Sequence, residues 1–208
     1  MRDDKKMRYY IADTHFGHAN IIKLDKRPFE NTEEMEEALV ENWNTVVKSG
    51  DIVYILGDFC WGKKDDWVRI LDRLKGQKAL IQGNHDLKNY PPELCKKFVG
   101  IYDYKEVKDD GRTIILSHYP IMCYRHSNDP KTYMLHGHVH STAEHDWIQK
   151  WTAELRQRYA FDKVYNPDRV HSSNCGQIYN VGCMMPWMDY TPRTLDEIKE
   201  RFDYNYGK

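Results

Sequence analysis

The chain has 208 residues, 40% of them hydrophobic and 13% aromatic, which fits one globular domain with a substantial core. Its formal net charge of -1 argues against a large basic surface for duplex nucleic acid. No apolar run reaches the roughly 18 residues of a membrane span, and the charged start has no signal-peptide core. Five cysteines without a C-x-x-C pair fit reduced thiols. We therefore expect a cytoplasmic protein that is not a membrane component.

Residues 8–12 form the first predicted strand, and Asp13 and His15 follow at its C-terminal end. If this segment is extended, residues two apart project the same way, so a carboxylate and an imidazole can reach one cation. The D-x-H triplet alone is weak, because a capping Asp beside a surface His is common. His18 could face the same site and bind substrate, or merely cap a turn.

A helix is predicted next, with Asn31 as N-cap, Glu34 three residues later and Gly50 at its end. The apolar run 52–56 is typical of a buried strand, and it leads into Gly57 and Asp58. A second helix over about 65–75 returns the chain to a strand at 78–81. This alternation predicts right-handed βαβ crossovers and an at least partly parallel sheet.

The stretch Gly83-Asn84-His85-Asp86 follows that strand directly. The Asn carbonyl oxygen is a neutral metal ligand, the His can titrate near physiological pH, and the Asp could orient the His. Taken alone, the stretch is more often a polar turn after a buried strand.

Beyond a short helix at Pro91-Pro92, the residues 98–107 and 112–116 are predicted to form two strands joined by a hairpin turn at 109–111. The second strand ends at His118. A further strand at 133–135 leads to His138 and His140, where two imidazoles on an extended segment can converge on metal. A surface loop with paired histidines explains this motif equally well.

The segment 142–174 breaks the alternation. Helically spaced aromatic residues with polar flanks predict a surface helix in an insertion next to the site, within a single domain spanning 1–208. This insertion could act as a lid. A last strand at 177–181 precedes a C-terminal helix opened by a capping box of Thr194 and Glu197.

Taken together, the polar motifs are stronger evidence for a metal site than any one of them alone, because each member follows a predicted apolar run. The candidate metal ligands are Asp13, His15, Asp58, Asn84, His118, His138 and His140. Two divalent cations that share a carboxylate need about this many protein ligands. The set contains no cysteine, which disfavours a structural zinc site. An open site of nitrogen and oxygen ligands points to hydrolysis.

The order D-x-H, G-D, G-N-H-D, H and G-H-x-H resembles the signature of the calcineurin-like metallophosphoesterase superfamily, here between residues 13 and 140. The motif and the compact length look like those of small bacterial or phage members. The resemblance implies an α/β fold, a four-layer α-β-β-α sandwich with two mixed sheets and a dinuclear metal site at the strand ends.

The resemblance also implies a role for each ligand. One metal would be held by Asp13, His15 and His140, and the other by Asn84, His118 and His138. Asp58 would bridge the two metals. His85 would be the general acid, with Asp86 as its orienting partner.

The chain departs from the family pattern after Asp58, where many members carry an Arg or an acidic residue and this chain has Phe59-Cys60-Trp61. The two aromatic side chains could belong to the core, or could form a wall for a base or an aryl group. This departure leaves the substrate open.

The expected activity is hydrolysis of a phosphate ester by a metal-bridging hydroxide, with two divalent or trivalent ions of Mn, Fe, Zn or Ni as cofactors. A small phosphodiester, possibly a nucleotide, is the expected substrate because an extended basic groove is lacking. A phosphomonoesterase remains open, as does a single-strand nuclease that stacks bases on Trp61, Trp147 or Trp151. A metal-stabilised interaction module is a further alternative, although it would require a degenerate site. The oligomeric state stays open.

Overall fold

The computed structural model describes residues 6–165 and 176–206. It is an α/β fold with two four-stranded sheets. The first sheet is parallel throughout, in the order β1 (Arg8–Ile11), β2 (Ile52–Ile55), β3 (Gln77–Ile81) and β4 (Gly100–Tyr102). The second is mixed, in the order β5 (Tyr104–Asp109), β6 (Arg112–Ser117), β7 (Thr132–His136) and β8 (Ile178–Asn180), with only β5 and β6 antiparallel. An isolated antiparallel bridge joins Tyr10 of β1 to Arg193.

Six helices cover these sheets in the described residues: α1 (Ala19–Leu24), α2 (Thr32–Val46), α3 (Lys64–Arg73), α4 (Pro92–Cys95), α5 (Ala143–Tyr165) and α6 (Leu195–Tyr206). Successive side chains of β6 point to opposite faces. Ile114 and Leu116 join the main core with the first sheet, whereas Ile115 packs in a smaller cluster with Ile148 of α5. The predicted four-layer sandwich is therefore confirmed, although only the second of its two sheets is mixed among the named strands.

Local signals in the sequence account for several element boundaries. The Asn31 side chain accepts a hydrogen bond from the Glu34 amide at 2.8 Å, as predicted for an N-cap. The box of Thr194 and Glu197 is also formed, with the Glu197 carboxylate 2.8 Å from the Thr194 amide. Helix α2 ends at Val46 rather than at the predicted Gly50, because Val47 already has an extended backbone.

The predicted single strand over 98–107 is wrong. The chain forms β4 in the first sheet, passes Asp103 and continues as β5 in the second sheet. An alternating pattern cannot specify which sheet a residue joins, so the change of sheet left no mark in the sequence. The turn after β5 is as expected, since Asp110 and Gly111 both have positive φ, at 50° and 77°.

The predicted insertion at about 142–174 begins with α5, on which Trp147 is 61% exposed while Ile148 is buried. Residues 166–175 and the side chain of Tyr159 lie outside the described residues, so the insertion and its action as a lid stay predictions. Within the described ranges, no helix combines the length and the apolar character that crossing a membrane requires.

Candidate metal centre

The predicted ligands lie at the C-terminal ends of strands from both sheets. Parallel strands end at a common edge, which is where open α/β sheets bind ligands. Asp13, Asp58 and Asn84 follow β1, β2 and β3, and the second sheet contributes a further three histidines after β6 and β7. The fold therefore brings together side chains that are far apart in the sequence.

The local backbone is not extended at these positions. Five of the seven candidate ligands have positive φ: Asp13 at 55°, His15 at 49°, Asp58 at 51°, His138 at 69° and His140 at 46°. The predicted extended backbone, on which residues two apart share a face, is therefore wrong for both D-x-H and H-x-H. Non-glycine residues with positive φ are uncommon and cluster at functional sites, so this backbone itself marks the site.

The first ligand group consists of Asp13, His15 and His140, which offer one ligand atom each within 4.8 Å of one another. The Nε2 atoms of the two histidines are 3.4 Å apart, and Nε2 of His140 is 4.0 Å from Oδ1 of Asp13. This is the trio that the resemblance assigns to one metal.

The second group is formed by Asp13, Asp58 and His118, with Asn84 beside it. The Asn84 carbonyl oxygen lies 2.9 Å from Nε2 of His118 and 3.0 Å from Nδ1 of His138. All the side chains assigned to the second metal are therefore adjacent.

Asp58 belongs to the second group and also faces the first. Its Oδ2 atom is 3.7 Å from Nε2 of His15 in the first group and 3.6 Å from Nε2 of His118 in the second. One carboxylate oxygen thus faces both halves of the centre, as a bridging ligand requires.

Two glycines let the loops approach each other closely around Asp58. A Cβ atom on Gly83 would lie 2.3 Å from Oδ1 of Asp58, and one on Gly57 would lie 2.4 Å from Nδ1 of His118. Neither distance is possible without displacing a ligand, so the glycines of the G-D and G-N-H-D motifs are required by this packing.

A buried network outside the ligands was missed by the sequence argument. Nδ1 of His140 lies 2.7 Å from the Asp25 carboxylate, which also accepts from Arg27 at 2.8 and 3.0 Å. Arg27 in turn donates to the carbonyl oxygens of Asp13 and Thr14 at 2.8 and 3.0 Å. This network fixes the backbone at Asp13 and the ring of His140.

In His118 and His140, the hydrogen bond made by Nδ1 defines which ring nitrogen faces the centre. A carbonyl or carboxylate oxygen can only accept, so Nδ1 of His118, 2.8 Å from the Leu56 oxygen, carries the proton. The same holds for Nδ1 of His140 next to Asp25. In both rings Nε2 is left to bind a metal, an arrangement typical of metal-binding histidines.

Asp86 makes its hydrogen bonds with backbone amides. Its buried carboxylate accepts from the amides of Asp58, Phe59 and Gly83 at 3.1, 2.8 and 2.8 Å. In the described part of the chain, no hydrogen bond joins it to the His85 ring. Burial raises the pKa of Asp86 to about 6, although these backbone hydrogen bonds oppose the rise. Asp86 therefore joins the loop of Asp58 to the loop of Gly83, and its role as the orienting partner of His85 stays a prediction.

The donor set fits cations. Burial raises the pKa of Asp13 to about 7 and lowers that of His15 to about 2, because burial disfavours either charged form. His15 is thus neutral at physiological pH, which is the form that binds metal. The buried carboxylates of Asp13 and Asp58 need positive charge nearby, and a cation would supply it.

The rim of the centre carries exposed side chains. The His85 amide donates to Oδ1 of Asp58 at 2.9 Å, while its ring is exposed and 5.9 Å from the ring of His15. His18 stacks on Trp61, and Tyr119, 49% exposed, packs edge-on against His138 at 4.5 Å.

Fold and site together define an α/β protein with a candidate dinuclear centre of carboxylate, amide and imidazole ligands. Residues 9–191 match the model of the family described as calcineurin-like phosphoesterase. The chain belongs to this family, as its motifs predicted. Family membership and the Asp/His groups support a metal-dependent phosphoesterase.

Among similar proteins is the uncharacterized protein MJ1445 of Methanocaldococcus jannaschii, 41% identical over 135 residues, or 64% of this chain and 69% of that protein. The gene 66 protein of Mycobacterium phage D29 is 27% identical over 92% of this chain and 94% of its own. A crystal structure of the protein of unknown function AQ665 from Aquifex aeolicus aligns with a TM-score of 0.61 and 30% identity, covering 94% of this chain and 99% of that one. The phage relative agrees with the predicted small phage type.

Proposed function

We propose that the protein is a dinuclear-metal-dependent phosphoesterase that hydrolyses small phosphodiesters, with His85 as the general acid. The observation that carries the proposal is a pair of adjoining ligand groups that share Asp13. Asp58 of the second group also faces His15 of the first, and the exposed His85 ring stands at the rim outside both.

The residues divide as the family motif implies. Asp13, His15 and His140 would hold one cation, while Asn84, His118 and His138 would hold the other, with Asp58 shared. Two cations bound there would activate a water molecule and neutralise phosphoryl oxygens.

His85 is suited to donate a proton rather than to bind metal. Its amide donates to Oδ1 of Asp58 at 2.9 Å, and this hydrogen bond holds the His85 backbone next to the centre. The exposed ring can reach an oxygen that leaves the phosphorus, and a protonated imidazole there would neutralise the departing alkoxide.

The surroundings favour a small diester over a polymer. The net charge of -1 does not provide the basic surface that tracks a nucleic-acid backbone. Exposed aromatic rings flank the centre on two sides, Trp61 beside His85 and Tyr119 beside His138. Two flanking surfaces suit an ester with a substituent on each side of the phosphorus.

The first experiment compares His85→Asn with the wild type after reconstitution with Mn²⁺. Proton donation matters most for a strongly basic leaving oxygen, so the variant should lose roughly 10²- to 10⁴-fold in kcat with a nucleoside leaving group. It should lose much less with nitrophenolate, and its metal content should not change. The control His126→Asn replaces an exposed histidine on a loop. Equal losses on both substrates, at wild-type metal content, would exclude His85 as the acid.

The second experiment varies salt. A small diester makes few phosphate contacts, so kcat/KM should change only modestly between low and moderate salt. A steep loss of activity on oligonucleotides, combined with little activity on small diesters, would instead establish a single-strand nuclease. Hydrolysis confined to monoesters would establish a phosphomonoesterase.

A further inference from the structure

Trp61 lies three residues after Asp58, and the motif did not indicate whether its side chain is buried or exposed. Its neighbour Phe59 is fully buried in the core, whereas Trp61 is 47% exposed. The Trp61 ring stacks on His18, with centroids 4.2 Å apart and planes within 9°. His18 therefore covers one face of the indole, while nearly half of the Trp61 surface stays exposed.

The backbone holds this ring in a fixed position. The Trp61 amide donates to the Phe16 carbonyl at 2.8 Å, and Phe16 forms a parallel bridge with Cys60. Gly17 has a φ of 76°, and a Cβ atom there would lie 3.3 Å from the Trp61 carbonyl oxygen. The loops that carry His15 and Trp61 are therefore joined, and the indole needs little ordering when a ligand binds.

The indole also lies beside the proposed proton donor. The ring centroids of Trp61 and His85 are 5.3 Å apart, and His18, beneath the indole, is 5.4 Å from His15. A group stacked on Trp61 would therefore be close to the side of the phosphorus where His85 protonates the departing oxygen.

We propose that Trp61, supported by His18, is a stacking platform for a planar aromatic leaving group of the substrate, such as the base of a nucleoside. This inference rests on the proposed function and adds which side of the diester carries the ring. An aromatic face accepts any base, since every base offers a π-face. Tyr119 contacts His118 and His138 instead, so it lies on the side of the retained substituent.

The reaction that follows is hydrolysis of the bond between phosphorus and the nucleoside oxygen. Water attacks phosphorus, a new P–O bond forms, and the bond to the nucleoside oxygen breaks. His85 gives its proton to that oxygen, and the proton released from the water replaces the one on His85. The products are a nucleoside and the phosphate monoester of the other substituent.

The test uses the methyl ester of adenosine monophosphate, which offers two alkoxide leaving groups of which only one carries a ring. The Mn²⁺-loaded wild type should release mainly adenosine and methyl phosphate rather than adenosine monophosphate and methanol. Trp61→Leu keeps an apolar side chain over His18 but removes the aromatic plane. It should lower kcat/KM for adenosine release by roughly 5- to 150-fold, the range of one base stacked on one aromatic ring.

Three comparisons decide the result. Trp61→Phe keeps a plane and should retain most of the preference, while Tyr104→Ala, which removes a ring of similar exposure on β5, should behave as wild type. An unchanged product ratio in Trp61→Leu, or equal changes in Trp61→Leu and Trp61→Phe, would overturn the platform alone. If the wild type cleaves neither bond, the phosphoesterase proposal fails and the platform fails with it.

Discussion

Replacing Asp25 with Asn should weaken metal binding, although Asp25 is not itself a predicted ligand. The carboxylate accepts from His140 at 2.7 Å and from Arg27 at 2.8 Å, and Asn has one oxygen where the carboxylate has two. Losing the carboxylate partner of a metal-binding histidine typically costs about 10- to 100-fold in metal affinity, which corresponds to about 1.4–2.7 kcal/mol. Calorimetric titration of the metal-free protein with Mn²⁺ measures this loss.

The same variant should also be less stable without metal. Arg27 is only 4% exposed, and removing the carboxylate from a buried pair costs about 3–5 kcal/mol. The hydrogen bond to His140 and the charges of His140 and Arg27 outweigh burial and hold the pKa of Asp25 below its usual range, so the carboxylate is charged throughout the neutral range.

A matched control is Glu37→Gln, which removes an exposed carboxylate paired with Arg73. It should leave Mn²⁺ affinity and urea unfolding unchanged, because exposed pairs contribute little. Wild-type Mn²⁺ affinity in Asp25→Asn would refute the reasoning, since His140 would then be held without the carboxylate.

Three further predictions concern the centre itself. Asp58→Asn should lower metal content and abolish turnover, because a carboxamide cannot balance two dications; elemental analysis with unchanged content and activity would remove Asp58 from the site. Gly83→Ala should lower Mn²⁺ affinity, since its Cβ would lie 2.3 Å from Asp58, whereas Gly50→Ala, with nothing within 4 Å, should not. In metal-free protein, the unfolding free energy of Asp13→Asn minus that of the wild type should increase as the pH rises from about 4 to 7, and should then stay constant. Burial raises the folded pKa of Asp13 to about 7, so the folded state binds more protons than the unfolded state in that window; a pH-independent difference in urea titrations would contradict it.

The sequence could predict where the candidate ligands gather because each motif follows an apolar strand. Parallel strands bring their C-terminal ends to one edge, so Asp13, Asp58 and Asn84 converge whatever the loops do. The glycines before Asp58 and Asn84 carry the same information, because a side chain there would collide with a ligand.

Asp25 and Arg27 could not be predicted in the same way. They lie in the connection between α1 and α2, where a charged pair two residues apart is usually a solvated turn. The contact between Asp25 and His140 spans 115 positions of the chain, and only the packing of that connection against the end of β7 creates it. Trp61 was ambiguous in a similar way, because the sequence does not indicate whether an aromatic residue after a strand is buried or exposed.

The left-handed backbone lets one short motif face both groups of candidate ligands. On an extended chain His138 and His140 would point the same way and bind one metal together. With φ of 69° and 46° the chain turns between them, and Nδ1 of His138 faces Asn84 at 3.0 Å while Nε2 of His140 faces His15 at 3.4 Å. Such backbone costs about 1–3 kcal/mol per residue, and the His138 amide offsets part of it by donating to both oxygens of Asp13 at 3.1 Å. The carboxylate shared by both ligand groups therefore also holds the turn that separates the two histidines, so metal binding and the strained loop depend on the same residue.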